Sequence, residues 1–124
     1  MDKFLLIAIG GIFGSIGRHV LSGIVQRFMA SSFPYGTVAV NLLGSFLFGF
    51  VWGLLEDRIT LAPEARLLLL TGFMGAFTTF STLTYEGLVL LQSAMWWQAA
   101  AYIIGQTSAG ILLVWLGIGL GRLL

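Results

Sequence analysis

The stretch Thr71–Thr82, TGFMGAFTTFST, decides how this chain is to be read. It lies inside Leu67–Leu91, twenty-five residues whose only charge is Glu86. A segment that apolar is long enough to cross a hydrocarbon core, which takes about 20 residues. Its centre argues against a regular helix. Gly72 and Gly75 lower helix propensity, and Thr78, Thr79, Ser81 and Thr82 carry hydroxyls that compete for backbone groups. The pattern predicts a discontinuous span: two half-helices, each too short to cross alone, joined by unwound backbone near the bilayer midplane. A continuous Thr-rich helix with a kink is the competing reading.

Non-helical backbone at that depth is tolerated only where it is buried in protein or lines a wet cavity. Freed carbonyls there suit a cation such as Na⁺, and helix N-termini or free N–H groups suit an anion. A single broken segment supplies few carbonyls. Two copies meeting at a two-fold axis through the break supply twice as many, so the physics favours a dimer, with parallel and inverted arrangements both open.

The rest of the chain fits a membrane reading. Of 124 residues, 58% are hydrophobic and 9% charged, against about a quarter charged in ordinary globular domains. A soluble domain this small could not hide so much apolar surface. Four segments are long enough to span: Phe4–Phe28, Gly36–Leu55, Leu67–Leu91 and Gln98–Leu123. Short links join them, Pro34 and Pro63 fall in the links, and nothing is left over for a second domain, so residues 1–124 read as one four-helix transmembrane unit. The first segment has no small-residue cleavage site before a mature domain and reads as a helix, not a signal peptide. The link side that shares the termini collects Lys3, Arg58, Arg66 and Arg122, against Arg27 and Arg18 opposite. That weak bias places the termini in the cytoplasm and does not forbid insertion both ways. The absence of cysteine decides nothing, and a net charge of +1 gives no electrostatic case for a nucleic-acid partner.

Glycines form stripes. Gly10 and Gly14 are one GxxxG step, Ser45, Gly49 and Gly53 share a face, and Gly117 and Gly121 repeat the spacing. Small residues at this interval let helices approach closely in lipid, within a tight bundle and against another copy. Trp96 and Trp97 in the third link, with Trp52 and Trp115 near other segment ends, suit the headgroup level.

Intramembrane polar residues carry more information, because each is costly in hydrocarbon and should face the interior or a wet cavity. Arg18 and His19 lie in the first span. Thr37, Asn41 and Ser45 fall at i, i+4 and i+8 of the second, on one face. The third adds Glu86, and the fourth adds Gln106, Thr107 and Ser108. Single hydroxyls are most simply bonded back to their own helix. Arg18 can snorkel to the nearer interface, and Glu86 can be solvated there or pair with Arg18. Asn41 needs a partner across a helix interface or in a pore.

Taken in order, GGIFGSIGRH, GTVAVNLLGSFLFG and TGFMGAFTTFSTLTYE resemble the small fluoride channels of the Fluc family, over essentially the whole chain. The resemblance implies an all-α membrane protein: an antiparallel, dual-topology homodimer of four-span chains in the cell inner membrane. It implies passive export of fluoride, which enters as neutral HF and leaves through a selective pore under the membrane potential. It also implies a structural Na⁺ at the dimer centre, held by backbone carbonyls at Gly75 and Thr78. Phe80 matches a pore phenylalanine whose ring edge, the positive part of the aromatic quadrupole, points at fluoride. Asn41 matches a pore asparagine whose amide donates to the anion. Ser81 and Thr82 match a hydroxyl track that replaces lost waters in turn. Arg18 matches a vestibule arginine, and Glu86 a glutamate of the third span. Two positions depart from the family pattern: Leu83 stands where a second phenylalanine is usual, and Ala109-Gly110 where Gly-Ser is frequent. Some members work as obligate pairs of homologous chains, so the partner is a second copy or a paired chain.

Two other readings have weaker support. A proton-coupled small multidrug antiporter would want a carboxylate in the first span, where this chain has Arg18. A non-transporting membrane subunit would account for the glycines but not for the break. An enzyme is not indicated: His19 is alone, with no nucleophile or metal-ligand cluster.

Overall fold

A computed structural model describes residues 2–57 and 63–124. All regular structure among them is helical. Four helical stretches are long and apolar enough to cross a membrane: Lys3–Met29, Tyr35–Glu56, Pro63–Gln92 and Trp96–Leu123. They match the four segments read from the sequence to within a few residues. The main difference is at the third, where Pro63 opens the helix instead of lying in the link. A proline at the first helical position loses no hydrogen bond, because that N–H has no intrahelical acceptor. Arg58 lies outside the described residues.

The first two spans are single helices, α1 (Lys3–Met29) and α2 (Tyr35–Asp57). Asp2 caps α1 by accepting from the Phe4 N–H. Ala30 turns the chain out of α1 in the left-handed region, φ 46°. The Gln26 side chain then holds the link, donating to the carbonyls of Ser31 and Phe33 and accepting from the Gly36 N–H.

The third span is composite. α3 (Pro63–Arg66) runs into a π-helical segment, Leu67–Met74, and a last short piece, α4 (Gly75–Phe77). Thr78 (φ −82°, ψ 159°) and Thr79 (φ −146°, ψ 114°) are extended, and α5 (Phe80–Gln92) begins after them. The fourth span joins α6 (Trp96–Ala100), a π-helical turn Ala101–Gly105 and α7 (Gln106–Leu123).

Glycines set the packing. On α2, a methyl group at Gly49 or Gly53 would strike the backbone of Val114 or Ile118; on α7, one at Gly117 or Gly121 would strike the backbone of Phe46 or Phe50. The two helices therefore lie backbone to backbone through reciprocal pairs. Gly10 and Gly14 let α1 approach Leu68, Gly72 and Phe73 of the third span in the same way. These stripes are used inside one chain.

A small apolar core of Leu83, Leu90, Ala99 and Tyr102 joins α5 to the fourth span. The surface bears many large apolar side chains, including Phe4, Phe13, Phe28, Trp97 and Trp115, as a lipid-facing surface requires. Trp96 and Trp97 are exposed at the start of the fourth span.

Candidate functional site

The interruption at Thr78–Thr79 is stitched to its neighbours by side chains. Asn41, on α2, forms a two-way pair with the backbone of Thr79: its Oδ1 accepts from the Thr79 N–H at 2.7 Å, and its Nδ2 donates to the Thr79 carbonyl at 3.1 Å. An amide side chain thus supplies to an extended residue what a neighbouring strand would. The second Nδ2 hydrogen goes to Gln106 Oε1 at 2.6 Å. Gln106 is buried and donates in turn to the Tyr102 carbonyl at 3.4 Å. Thr79 Oγ1 accepts from the Thr82 N–H, capping α5, and donates to Thr82 Oγ1 at 2.9 Å. A threonine three residues ahead of the amide it caps is a usual helix start.

This stitching has a consequence for the carbonyls. In a continuous helix the N–H groups of Thr79 and Thr82 would point at the carbonyls of Gly75 and Thr78, four residues back. Here those amides turn to Asn41 and to Thr79 Oγ1. The oxygens of Gly75 and Thr78 are thereby relieved of their helical donors. Gly75 is exposed, and a Cβ there would have no neighbour nearer than Leu70 O at 3.9 Å. An outward glycine with a freed carbonyl fits oxygen ligation of a hard cation by a second body placed against this face.

Two recesses meet at Thr79. One, an open groove of about 320 Å³, is lined by Asn41, Ser45, Phe80, Leu83, Gln106 and Thr107, among others. The other, about 230 Å³, is lined by Ser15, Arg18, His19, Thr37 and Thr82, among others. Phe80 is 79% exposed, and its ring borders the groove. Leu83 borders the groove too, but it is buried and belongs to the apolar core. Gly110 lies across the groove from Ser45, where a Cβ would stand 3.4 Å from Ser45 Oγ.

Several residues singled out in the sequence come together here and others do not. Thr37, Asn41 and Ser45 share the inward face of α2 as their spacing required. Arg18 is half-buried and has no ion pair among the described residues. Glu86 does not pair with Arg18; it accepts from the Tyr102 hydroxyl at 2.5 Å. Thr82 lines the Arg18 recess, whereas Ser81 is exposed and borders neither recess. Thr107 borders the groove but its hydroxyl is bonded back to the Ile103 carbonyl at 2.7 Å. Thr78 does likewise to Met74. Ser108 is exposed and outside the groove. Both Asn41 amide hydrogens already have protein acceptors, so a contact with an anion requires one of them to change partner.

The sequence reading missed Tyr102, although a tyrosine inside an apolar span needs a hydroxyl partner and Glu86 was at hand to supply it. Thr79 was noted only as one hydroxyl among four. Its position three residues before Thr82 was the available signal of a cap.

Comparison with known proteins places the chain. The family model described as CrcB-like protein, Camphor Resistance (CrcB), matches residues 5–118. A protein of Nitratidesulfovibrio vulgaris strain DP4, called fluoride-specific ion channel FluC, is 75% identical over 123 residues, covering 99% of each chain. Proteins of the same name from Maridesulfovibrio salexigens and Nitrosococcus oceani are 51% and 46% identical. These cover 100% and 99% of this chain and 98% of the relatives. With the interrupted third span, the apolar four-span bundle and a family match over nearly its whole length, this chain belongs to the CrcB-like protein family.

Proposed function

We propose that this protein is a fluoride-specific ion channel, a multi-pass membrane protein that lets the anion leave the cytoplasm passively and so lowers fluoride toxicity. The observation that carries this reading is the 75% identity, across 99% of both chains, to a protein named fluoride-specific ion channel FluC. The site agrees with it chemically. Fluoride is small and strongly hydrated, so a pathway must offer donors in place of water. The two recesses offer the Asn41 amide, hydroxyls of Ser45, Thr37 and Thr82, and the Phe80 side chain. Arg18, without a carboxylate partner among the described residues, gives the smaller recess a positive potential that concentrates anions at its mouth.

The working unit on this reading is an antiparallel homodimer in the cell inner membrane, with the Thr78–Thr79 interruption at mid-membrane. The open side of the groove, the exposed Phe80 and the outward Gly75 together suit closure by a second copy. Carbonyls of Gly75 and Thr78 from both copies would hold a structural Na⁺. Its chemistry there is to draw free carbonyl oxygens together and neutralise their partial charge. A proton-coupled exchanger is not favoured, because the first span carries Arg18 and no carboxylate and Glu86 of the third is engaged by the Tyr102 hydroxyl.

Purified protein in liposomes loaded with fluoride tests the reading. Addition of a potassium ionophore should release fluoride and leave chloride inside. Equal release of the two anions, or release of neither, would remove it.

A further inference from the structure

We infer that Gln106 is a positioning residue of the fluoride pathway: its Oε1 holds one hydrogen of the Asn41 amide while the pathway is empty, and fluoride competes with it for that hydrogen. This rests on the channel reading and goes beyond it.

Three contacts fix the geometry. Asn41 Oδ1 and one Nδ2 hydrogen are committed to the N–H and carbonyl of Thr79. Surrendering either would unstitch the extended residue and leave a buried backbone group without a partner. The hydrogen on Gln106 Oε1 is the one that can be given up without disturbing the interruption. It lies on the lining of the groove, which Asn41 and Gln106 share with Phe80 and Leu83.

The acceptor is placed from the other side. Gln106 is 5% exposed, so its amide has no free access to water as an alternative partner. Its amide is placed by Tyr102: Nε2 donates to the Tyr102 carbonyl at 3.4 Å, and the side chain also interacts with the Tyr102 hydroxyl. The π-helical turn Ala101–Gly105 sits immediately before it and sets the register in which Gln106 faces Asn41; such turns inside α-helices are frequent at functional sites. With Gln106 held in place by Tyr102, its Oε1 and fluoride are rival acceptors for one Asn41 hydrogen, and the stronger acceptor takes it.

Asn41 is the sole asparagine of the chain. Selective ¹⁵N-asparagine labelling of the full-length protein in bicelles therefore gives one side-chain amide with two proton signals. Titration with sodium fluoride should move the proton that faces Gln106 and leave the proton that faces Thr79 nearly still. In Gln106→Leu the first signal should shift upfield before any fluoride is added. The half-saturating fluoride concentration, by the same titration and by liposome flux, should fall about three- to tenfold, the factor one net hydrogen bond is worth. Gln106→Glu, which keeps an acceptor and adds negative charge, should raise that concentration instead. If wild-type protein passes fluoride yet both amide protons ignore the ion, or both move alike, the proposal is overturned and the channel reading stands. An unchanged half-saturation in Gln106→Leu, with only maximal flux reduced, also overturns it, because a purely structural role predicts that split. Absence of wild-type flux removes the channel reading and the proposal with it.

Discussion

Two regions of this small bundle are held together by opposite means. Along Gly49, Gly53, Gly117 and Gly121, where α2 meets α7, and along Gly10 and Gly14, where α1 meets the third span, glycines bring backbones into direct contact, with the Asn41–Gln106 hydrogen bond and the Glu56–Arg122 ion pair lying to either side of the α2–α7 stripe. Around Thr78–Thr79, almost every contact is a hydrogen bond from a named side chain. Hydrocarbon surroundings explain the contrast. Between apolar helices in lipid there is no hydrophobic gain, so close dispersion contact is what remains, and small residues provide it. A backbone that leaves the helix has polar groups that lipid will not satisfy, and each needs a specific partner. The first region is indifferent to chemistry and intolerant of volume. The second depends on chemistry, although Gly44 shows that it too is close-packed: a methyl group there would strike the Thr78 side chain.

Substitutions that exploit this difference should separate the two regions. The largest effect is expected at the stitch. Asn41→Asp keeps the acceptor for the Thr79 N–H but removes both donors and sets a carboxylate against the Thr79 carbonyl and Gln106 Oε1. Fluoride flux in liposomes should fall by about 100-fold or more, the equivalent of roughly 3 kcal/mol. Undiminished flux would remove Asn41 from the pathway.

Next comes a glycine of the packed region. Gly117→Ala drives a methyl group into the backbone of Phe46 and Phe50, neither of which can rotate away. It should destabilise the protein by about 1–3 kcal/mol, read as a lower unfolding temperature in detergent. Gly119→Ala, two residues along, meets nothing within 4 Å and should leave that temperature unchanged. Equal effects at both positions would show that helix propensity, not approach, governs these glycines.

A smaller effect is expected at the helix cap beside the stitch. Thr79→Val removes the oxygen that accepts the Thr82 N–H and should cost about 1 kcal/mol, whereas Thr79→Ser should recover most of it. If serine is as damaging as valine, the methyl and not the hydroxyl is what matters there.

The smallest concerns Leu83, where the groove and the apolar core share a side chain. Leu83→Phe should leave flux unchanged or raise it by about twofold, as its ring edge reaches the groove. The larger ring should also lower stability slightly by crowding Tyr102 and Leu90. Collapse of flux in protein that still folds would mean that Leu83 shapes the path by its bulk.

Much of this arrangement was legible in the residues. Apolar runs of about 20 residues give four spans because hydrogen-bonded helix is the cheap way to cross lipid. The i, i+4, i+8 spacing put Thr37, Asn41 and Ser45 on one face because the helix repeat leaves no other option. Gly49 with Gly53 and Gly117 with Gly121 announced close approach. They did not say which helix approaches which.

What only the tertiary structure decided is who partners whom. Local chemistry made the third span a poor helix somewhere between Gly72 and Thr82. That Thr78 and Thr79 are the extended residues depends on Asn41, thirty-eight positions earlier, reaching the Thr79 backbone. Gln106 meets Asn41 across sixty-five positions, and Tyr102 takes Glu86 from Arg18. Propensity and periodicity are properties of neighbours along the chain, so the sequence alone determines spans, faces and weak points. Hydrogen bonds between spans depend on how the helices are rotated and offset against one another, and that is set by the packing of the whole bundle.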